Sequence, residues 1–177
     1  VAFTKELWIE KEDFAEVPPP KFKRLTVGGE VRLMGGYLVK CESVEKNPDG
    51  SIAVIHCTAD LETGNGNPAD GRKVKGATLH WVDAATAVDA QVRLYDNLFT
   101  DSDPDAGDKN FLDCLNPNSL EVLEGCKLEA SLADAQAPAH YQFLRLGYFC
   151  VDSKDSKPGA LVFNRAVSLK DSFKPGK

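Results

Sequence analysis

The chain is predicted to be all-β, on three observations. Apolar and polar residues alternate in short runs at about ten places, clusters of Gly, Pro, Asn and Asp separate those runs, and the periodicity favours strands over helices throughout. With 177 residues, 42% of them apolar, the chain can bury one substantial core or two small ones. Short strands joined by frequent turns close as barrels or sandwiches.

The elements follow in order. Leu7-Trp8-Ile9 is a short strand, and Val17-Pro18-Pro19-Pro20 forces an extended connector, because proline sets its own φ and restricts the residue before it. Residues 24–27 and 30–33 read as strands on either side of the Gly28-Gly29 break. Residues 37–45 alternate, Asn47-Pro48-Asp49-Gly50 supplies a glycine turn, and residues 51–57 return, which together make a hairpin. Residues 61–71, rich in Gly, Asn, Asp and Pro, form a loop. Residues 76–82 and 90–95 are strands, with a turn or a single helical turn at 83–87 between them. Residues 100–109 are an acidic surface loop, and 110–115 form one short helix before Asn116-Pro117. Strands at 120–124, 141–151 and 161–167 complete the chain.

Charge is unevenly spread. The net charge of -6 argues against a general nucleic-acid coat, whose affinity comes from uniform neutralisation of phosphates. Cations gather at Lys21, Lys23, Arg24, Arg32 and Lys40, then at Arg72, Lys73 and Lys75, then in the tail from Lys154 to Lys177. The acids Asp101, Asp103, Asp105, Asp108 and Asp113 gather elsewhere, so a polyanion would be oriented onto one face. The run Arg72-Lys73-Val74-Lys75-Gly76, leading into Leu79-His80-Trp81-Val82, suits a loop that meets a phosphate backbone and is anchored by the strand behind it. A solvated loop between two strands accounts for the same residues.

Five separated cysteines without a Cys-x-x-Cys pair fit reduced thiols in the cytoplasm, most of them in apolar runs where cysteine acts as a small buried hydrophobe. The three histidines have no ligand spacing to one another or to the cysteines, so metal binding is not expected. No apolar stretch is long enough to cross a bilayer. The chain opens on Val1 and its one methionine is Met34, which suggests a piece excised from a longer protein.

Nothing in the chain marks catalysis. Nucleophile elbow, P-loop and dinucleotide fingerprint are absent, the carboxylates lie mostly in loops, and His80 beside Trp81 reads as a core histidine. Binding is the better expectation. Gln142 and Arg145 interrupt an aromatic and aliphatic run, and their donors suit the edge of a splayed base whose face is stacked on a planar group. A surface carboxylate would satisfy Arg145 equally well.

Several segments, in this order and spacing, resemble a known family: Glu6-Leu7-Trp8-Ile9; Phe22-Lys23-Arg24-Leu25 with Glu30-Val31-Arg32-Leu33; Asp70-Gly71-Arg72-Lys73-Val74-Lys75-Gly76 with His80-Trp81-Val82; Arg93-Leu94-Tyr95-Asp96; and Gly147-Tyr148-Phe149-Cys150-Val151-Asp152. They are similar to the C-terminal anticodon-binding region of bacterial glutaminyl-tRNA synthetases, and the resemblance covers nearly the whole chain. It implies two packed β-barrels of the ribosomal protein L25-like type that grip an anticodon loop in a shared cleft. Residues 21–100 are expected in one barrel, and residues 1–20 with 101–177 in the other.

The resemblance also carries residue roles. Lys23 and Arg24 fall where the family places cations at the third anticodon base and its phosphate, and an arginine can donate twice to a guanine edge. Lys21 stands where a relative carries glutamine. Arg32 falls on the arginine near the first anticodon base, while Met34 replaces a second one. Gln142 and Arg145 match the pair that holds the central uracil, with a further arginine contributed from upstream of Val1. Arg72, Lys73 and Lys75 are expected on the RNA backbone.

The partner implied is glutamine tRNA, bound by a cytoplasmic monomer with no role for DNA or membrane. The resemblance implies no cofactor for these residues; ATP with Mg belongs to a class I Rossmann catalytic domain that they do not include. Three alternatives stay open. They are the two-barrel domain of archaeal and eukaryotic glutamyl-tRNA synthetases, a ribosomal RNA-binding protein of the L25 type with one barrel, and a hydrolytic or sugar-binding β-protein with paired carboxylates.

Overall fold

The computed structural model describes residues 2–64, 66–68 and 70–169. In chain order its strands are β1 (Leu7–Ile9), β2 (Glu30–Leu33), β3 (Leu38–Lys46), β4 (Ile52–Asp60), β5 (Thr78–Leu79), β6 (Trp81–Asp83), β7 (Val88–Tyr95), β8 (Leu120–Leu128), β9 (His140–Phe143), β10 (Gly147–Val151) and β11 (Leu161–Ser168). Helical turns are limited to 3-10 segments at Lys11–Asp13, Phe111–Cys114 and Ala130–Leu132. The fold is all-β and divides after Ala85 into two units.

The first unit holds a four-stranded sheet ordered β4-β3-β2-β5 and the pair β1-β6. Alternation along β2 turns Val31 and Leu33 inward and leaves Glu30 and Arg32 on the other face. The core gathers Leu25, Val31, Leu33, Val39, Cys41, Leu79 and Trp81, with Leu7, Ile9 and Phe14 packed against it. Side chains from both sheets thus enclose one apolar interior, the arrangement of a small barrel. Trp81 is fixed at both ends: its ring meets Phe3 edge-on at 5.6 Å, and its indole N–H donates to the Met34 carbonyl at 3.0 Å.

In the second unit five strands are ordered β8-β7-β11-β10-β9, with β11 parallel to β7 and the other pairs antiparallel. Its core is Ala90, Val92, Phe149, Val151, Leu161 and Phe163, supported by Tyr141 and Phe143. Phe143 and Phe149 stack with ring centroids 4.3 Å apart.

Strand pairing groups the chain differently from the expected division of residues 21–100 against 1–20 with 101–177. β1 hydrogen-bonds β6, which ties the N-terminal residues to the first unit, and β7 is enclosed by β8 and β11, which places residues 88–95 in the second. Three expected strands also change. Residues 24–27 supply only an isolated bridge from Leu25 to Phe14, because the chain turns at Gly28 with φ of 74°. The run 76–82 breaks at His80 into β5, paired with β2, and β6, paired with β1. The run 141–151 folds back on itself as the β9–β10 hairpin. Of the cysteines only Cys41 is buried, and Cys57, directly opposite it, is exposed because β4 is the edge strand of its sheet. The expected turn at residues 47–50 is present, with the Gly50 N–H donating to Asn47 O at 2.9 Å. Of the tail cations, Lys170, Lys174 and Lys177 lie outside the described residues.

Candidate nucleic-acid interface

Seven of the nine candidate residues belong to the first unit, and backbone pairing draws their three segments together. The Ala77 N–H donates to the Lys23 carbonyl at 2.6 Å. Arg32 on β2 registers with Thr78 on β5. Segment 21–24, strand β2 and loop 72–76 are therefore neighbours, although up to about fifty residues separate them in the chain.

The cations there are of two kinds. Lys21, Lys23, Lys73 and Lys75 are exposed and form no ion pair among the described residues. Lys21 sits in the left-handed region, φ 65°, at a turn closed by the Phe22 N–H on Pro19 O at 3.1 Å. These four ammonium groups are available to phosphates as point charges.

The three arginines are engaged. Arg24 donates through Nη1 to Asp13, whose carboxylate is fully buried behind the 3-10 turn at Lys11–Asp13. Arg32 donates through Nη1 to Gly64 O at 2.7 Å and through Nη2 to Gly66 O at 2.6 Å, so its fork holds the backbone of the 61–71 loop. Arg72 lies among three carboxylates: Glu30 at 2.9 Å, Asp60 at 2.7 Å and Asp70 at 2.7 Å. Bonds to the three raise the guanidinium above its usual value. Asp60 is lowered by the Thr63 hydroxyl and by Arg72, and Asp70 by the Arg72 backbone N–H and guanidinium. Three carboxylates around one cation leave this cluster negative, so a phosphate approaching Arg72 meets like charge.

Gln142 and Arg145 lie in the second unit, and not on one strand. Gln142 is exposed on β9, directly opposite Tyr148 on β10. Arg145 occupies the connecting turn with φ 68°, beneath which the Leu146 N–H donates to Phe143 O at 3.0 Å. Gly147 must be glycine: its φ is 147°, and a Cβ there would lie 2.5 Å from Val167 O.

Two residues in contact with or opposite the candidate positions escape the sequence reading. Asp13 gives no signal, being one acid among several in an acidic segment eleven residues before Arg24. Tyr148 does give one: from Gly147 onward the alternation puts Phe149 and Val151 inside and Tyr148 outside, but this is visible only once the strand is broken at Gly147. Among the described residues no group of three or more His, Cys, Asp or Glu side chains is placed to hold a metal ion, and no helix is long and apolar enough to cross a membrane.

An exposed set of lysines beside arginine-braced loops, on a β scaffold, can neutralise phosphates, and the β9–β10 hairpin can present hydrogen-bonding groups to a base. Comparison with known proteins narrows this. Residues 1–60 and 78–152 each match a family described as tRNA synthetases class I (E and Q), anti-codon binding domain. The chain is 54% identical over 173 residues to the glutamine--tRNA ligase of Vibrio cholerae serotype O1, covering 98% of this chain and 31% of that protein. It is likewise 54% identical to the one from Vibrio campbellii, and 51% identical, over 97% of this chain, to the one from Stutzerimonas stutzeri. The chain belongs to the anticodon-binding domain family of class I tRNA synthetases of the E and Q group. It spans 31% of the length of these relatives.

Proposed function

We propose that this chain binds the anticodon loop of glutamine tRNA, as part of a glutamine-tRNA ligase that joins glutamine to tRNA using ATP. The observation that carries the reading is the 54% identity to glutamine--tRNA ligases over 98% of the chain. ATP, Mg and the reacting ends would be held by the two thirds of such a protein that lie outside the matched stretch, and the chain alone does not aminoacylate. A reducing compartment such as the cytoplasm suits the five free cysteines, and the chain acts there as a monomer.

In the first unit, Lys21, Lys23, Lys73 and Lys75 hold phosphates, Arg24 faces the third anticodon base, and Arg32 the first. Both arginines enter that task already tethered, which limits the rotamers they must surrender on binding. Arg72 supports the reading indirectly, by holding the loop that carries Lys73 and Lys75. In the second unit, Gln142 and Arg145 read the central base. Two β units and relatives named for glutamine favour this reading over a one-barrel ribosomal protein or a glutamyl-specific domain.

The test is an electrophoretic titration of the chain against glutamine tRNA and an unrelated tRNA over a series of salt concentrations. Glutamine tRNA binds more tightly, and each of Lys23→Ala, Lys73→Ala and Lys75→Ala lowers the salt slope by about 1. Equal affinity for the two tRNAs contradicts the proposal.

A further inference from the structure

We infer that Tyr148 is the stacking surface for an unpaired RNA base, the one whose edge Gln142 holds; this rests on the anticodon-loop reading above. Gln142, Tyr148 and Val167 form one row across β9, β10 and β11, each directly opposite the next. Directly opposed residues of antiparallel strands project from the same face. Here that face is the outer one, because Tyr141, Phe143 and Phe149 occupy the core side. Gln142 is exposed, and Tyr148 and Val167 are 49% and 59% exposed. The Tyr148 ring and hydroxyl find no partner among the described residues. Leu144 and Leu146 in the adjoining turn are exposed as well, which adds apolar surface next to the Tyr148–Val167 patch.

The polar groups around that patch identify its occupant. Cβ atoms of directly opposed residues are about 5 Å apart, so a base lying on the Tyr148 ring has its edge within reach of the Gln142 amide. That amide offers a donor and an acceptor together, which matches a base carrying both carbonyl and ring N–H groups. Arg145, in the turn between the two strands, adds positive charge for the attached phosphate. An apolar peptide or a second copy of this sheet face would leave the Gln142 amide without a complementary group, at the cost of desolvating it. A planar, partly polar, anionic ligand uses all three. Exposed aromatic residues on a sheet, flanked by hydrogen-bonding groups, are the general means by which single-stranded nucleic acid is held.

The probe is an anticodon stem–loop RNA of glutamine tRNA carrying 5-iodouridine at the central anticodon position, bound to this chain and irradiated. The cross-link maps by mass spectrometry to the peptide containing Tyr148. Tyr148→Ala weakens binding of the unmodified stem–loop by roughly 5- to 100-fold, Tyr148→Leu by a similar factor although it keeps an apolar side chain, and Tyr148→Phe stays within about twofold of the parent. Melting temperatures of the three variants, measured alongside, stay close to the parent because the ring is on the outer face. Parent-like affinity of Tyr148→Leu, with Gln142→Ala still weakened, overturns the stacking role and leaves the anticodon-loop reading intact. Failure of the parent chain to bind the stem–loop overturns both.

Discussion

The guanidinium of Arg24 donates to the carboxylate of Asp13, which is fully buried. The Leu25 N–H donates to the Asp13 carbonyl at 3.0 Å and the Ala15 N–H to Leu25 O at 3.1 Å, so the pair locks the segment that presents Lys21 to Arg24 against the segment before it. Removing the cation from a buried carboxylate takes away much of what offsets the cost of burying its charge. Arg24→Ala therefore lowers stability by about 3 kcal/mol in urea unfolding, while Asp13→Ala, which frees the half-exposed arginine, costs less. A loss of RNA binding in Arg24→Ala counts as base recognition only if it exceeds the loss in Asp13→Ala. Arg24→Ala unfolding at the same urea concentration as the parent contradicts the tether.

Arg32 and Arg72 both hold the 61–71 loop, one through the carbonyls of Gly64 and Gly66 and the other through Glu30 on β2 and Asp60 at the end of β4. Removing one charge-assisted hydrogen bond worth roughly 1.5 kcal/mol speeds local opening by about tenfold. Amide exchange of residues 62–64, 66, 67, 70 and 71 in Arg32→Ala and in Arg72→Gln rises by that factor, with the β7–β11 amides unchanged. Unaltered exchange in both variants contradicts the clasp.

Gly76 lies against β2 so closely that a Cβ would fall 2.2 Å from Glu30 O and 2.7 Å from Val31 Cγ1. Both neighbours are anchored, Val31 in the core and the Glu30 backbone in the β2–β3 ladder. Gly76→Ala thus costs at least about 2 kcal/mol through forced backbone displacement. Gly50→Ala, with open space around it but φ of 84°, costs about 1 kcal/mol. Thermal unfolding of the two variants reads the order, and a smaller effect at Gly76 than at Gly50 contradicts the close approach.

Asp152 follows β10 and is held down to about 2 by the Asn164 side chain first, then by the backbone N–H groups of Asp155 and Lys154, with Arg93 adding to them. A carboxylate depressed in the folded state contributes stability that is complete above its ordinary, unfolded value and fades as pH falls through the folded one. The difference in melting temperature between the parent and Asp152→Asn is largest above pH about 4 and shrinks toward pH about 2. A difference that does not change with pH across this window contradicts the assignment.

Much of this molecule was legible in the sequence, and the failures have physical reasons. β1, β2 and the β3–β4 hairpin follow from alternation and from turn chemistry at Asn47 to Gly50. Alternation does not reveal where a continuous apolar run changes partners, so the breaks at His80 and at residues 144–146 passed unseen; only Gly147 hinted at the second. That Lys21, Lys23, Lys73 and Lys75 reach solvent follows from their place in turns and loops. The partners of the arginines were not legible, because Asp13, Gly64, Gly66 and Asp60 meet them only through tertiary pairing. A basic run that looked like a uniform phosphate contact thus contains one arginine committed to carboxylates and two lysines open to solvent.

The central claim is that this chain distinguishes anticodon bases. It is tested most directly by titrating the chain with glutamine tRNA and with the same tRNA changed at its central anticodon base. The account predicts that the change weakens binding by roughly 5- to 100-fold, the value of one well-read base, and that the gap closes in Gln142→Ala. Equal binding of both tRNAs by the parent chain contradicts it.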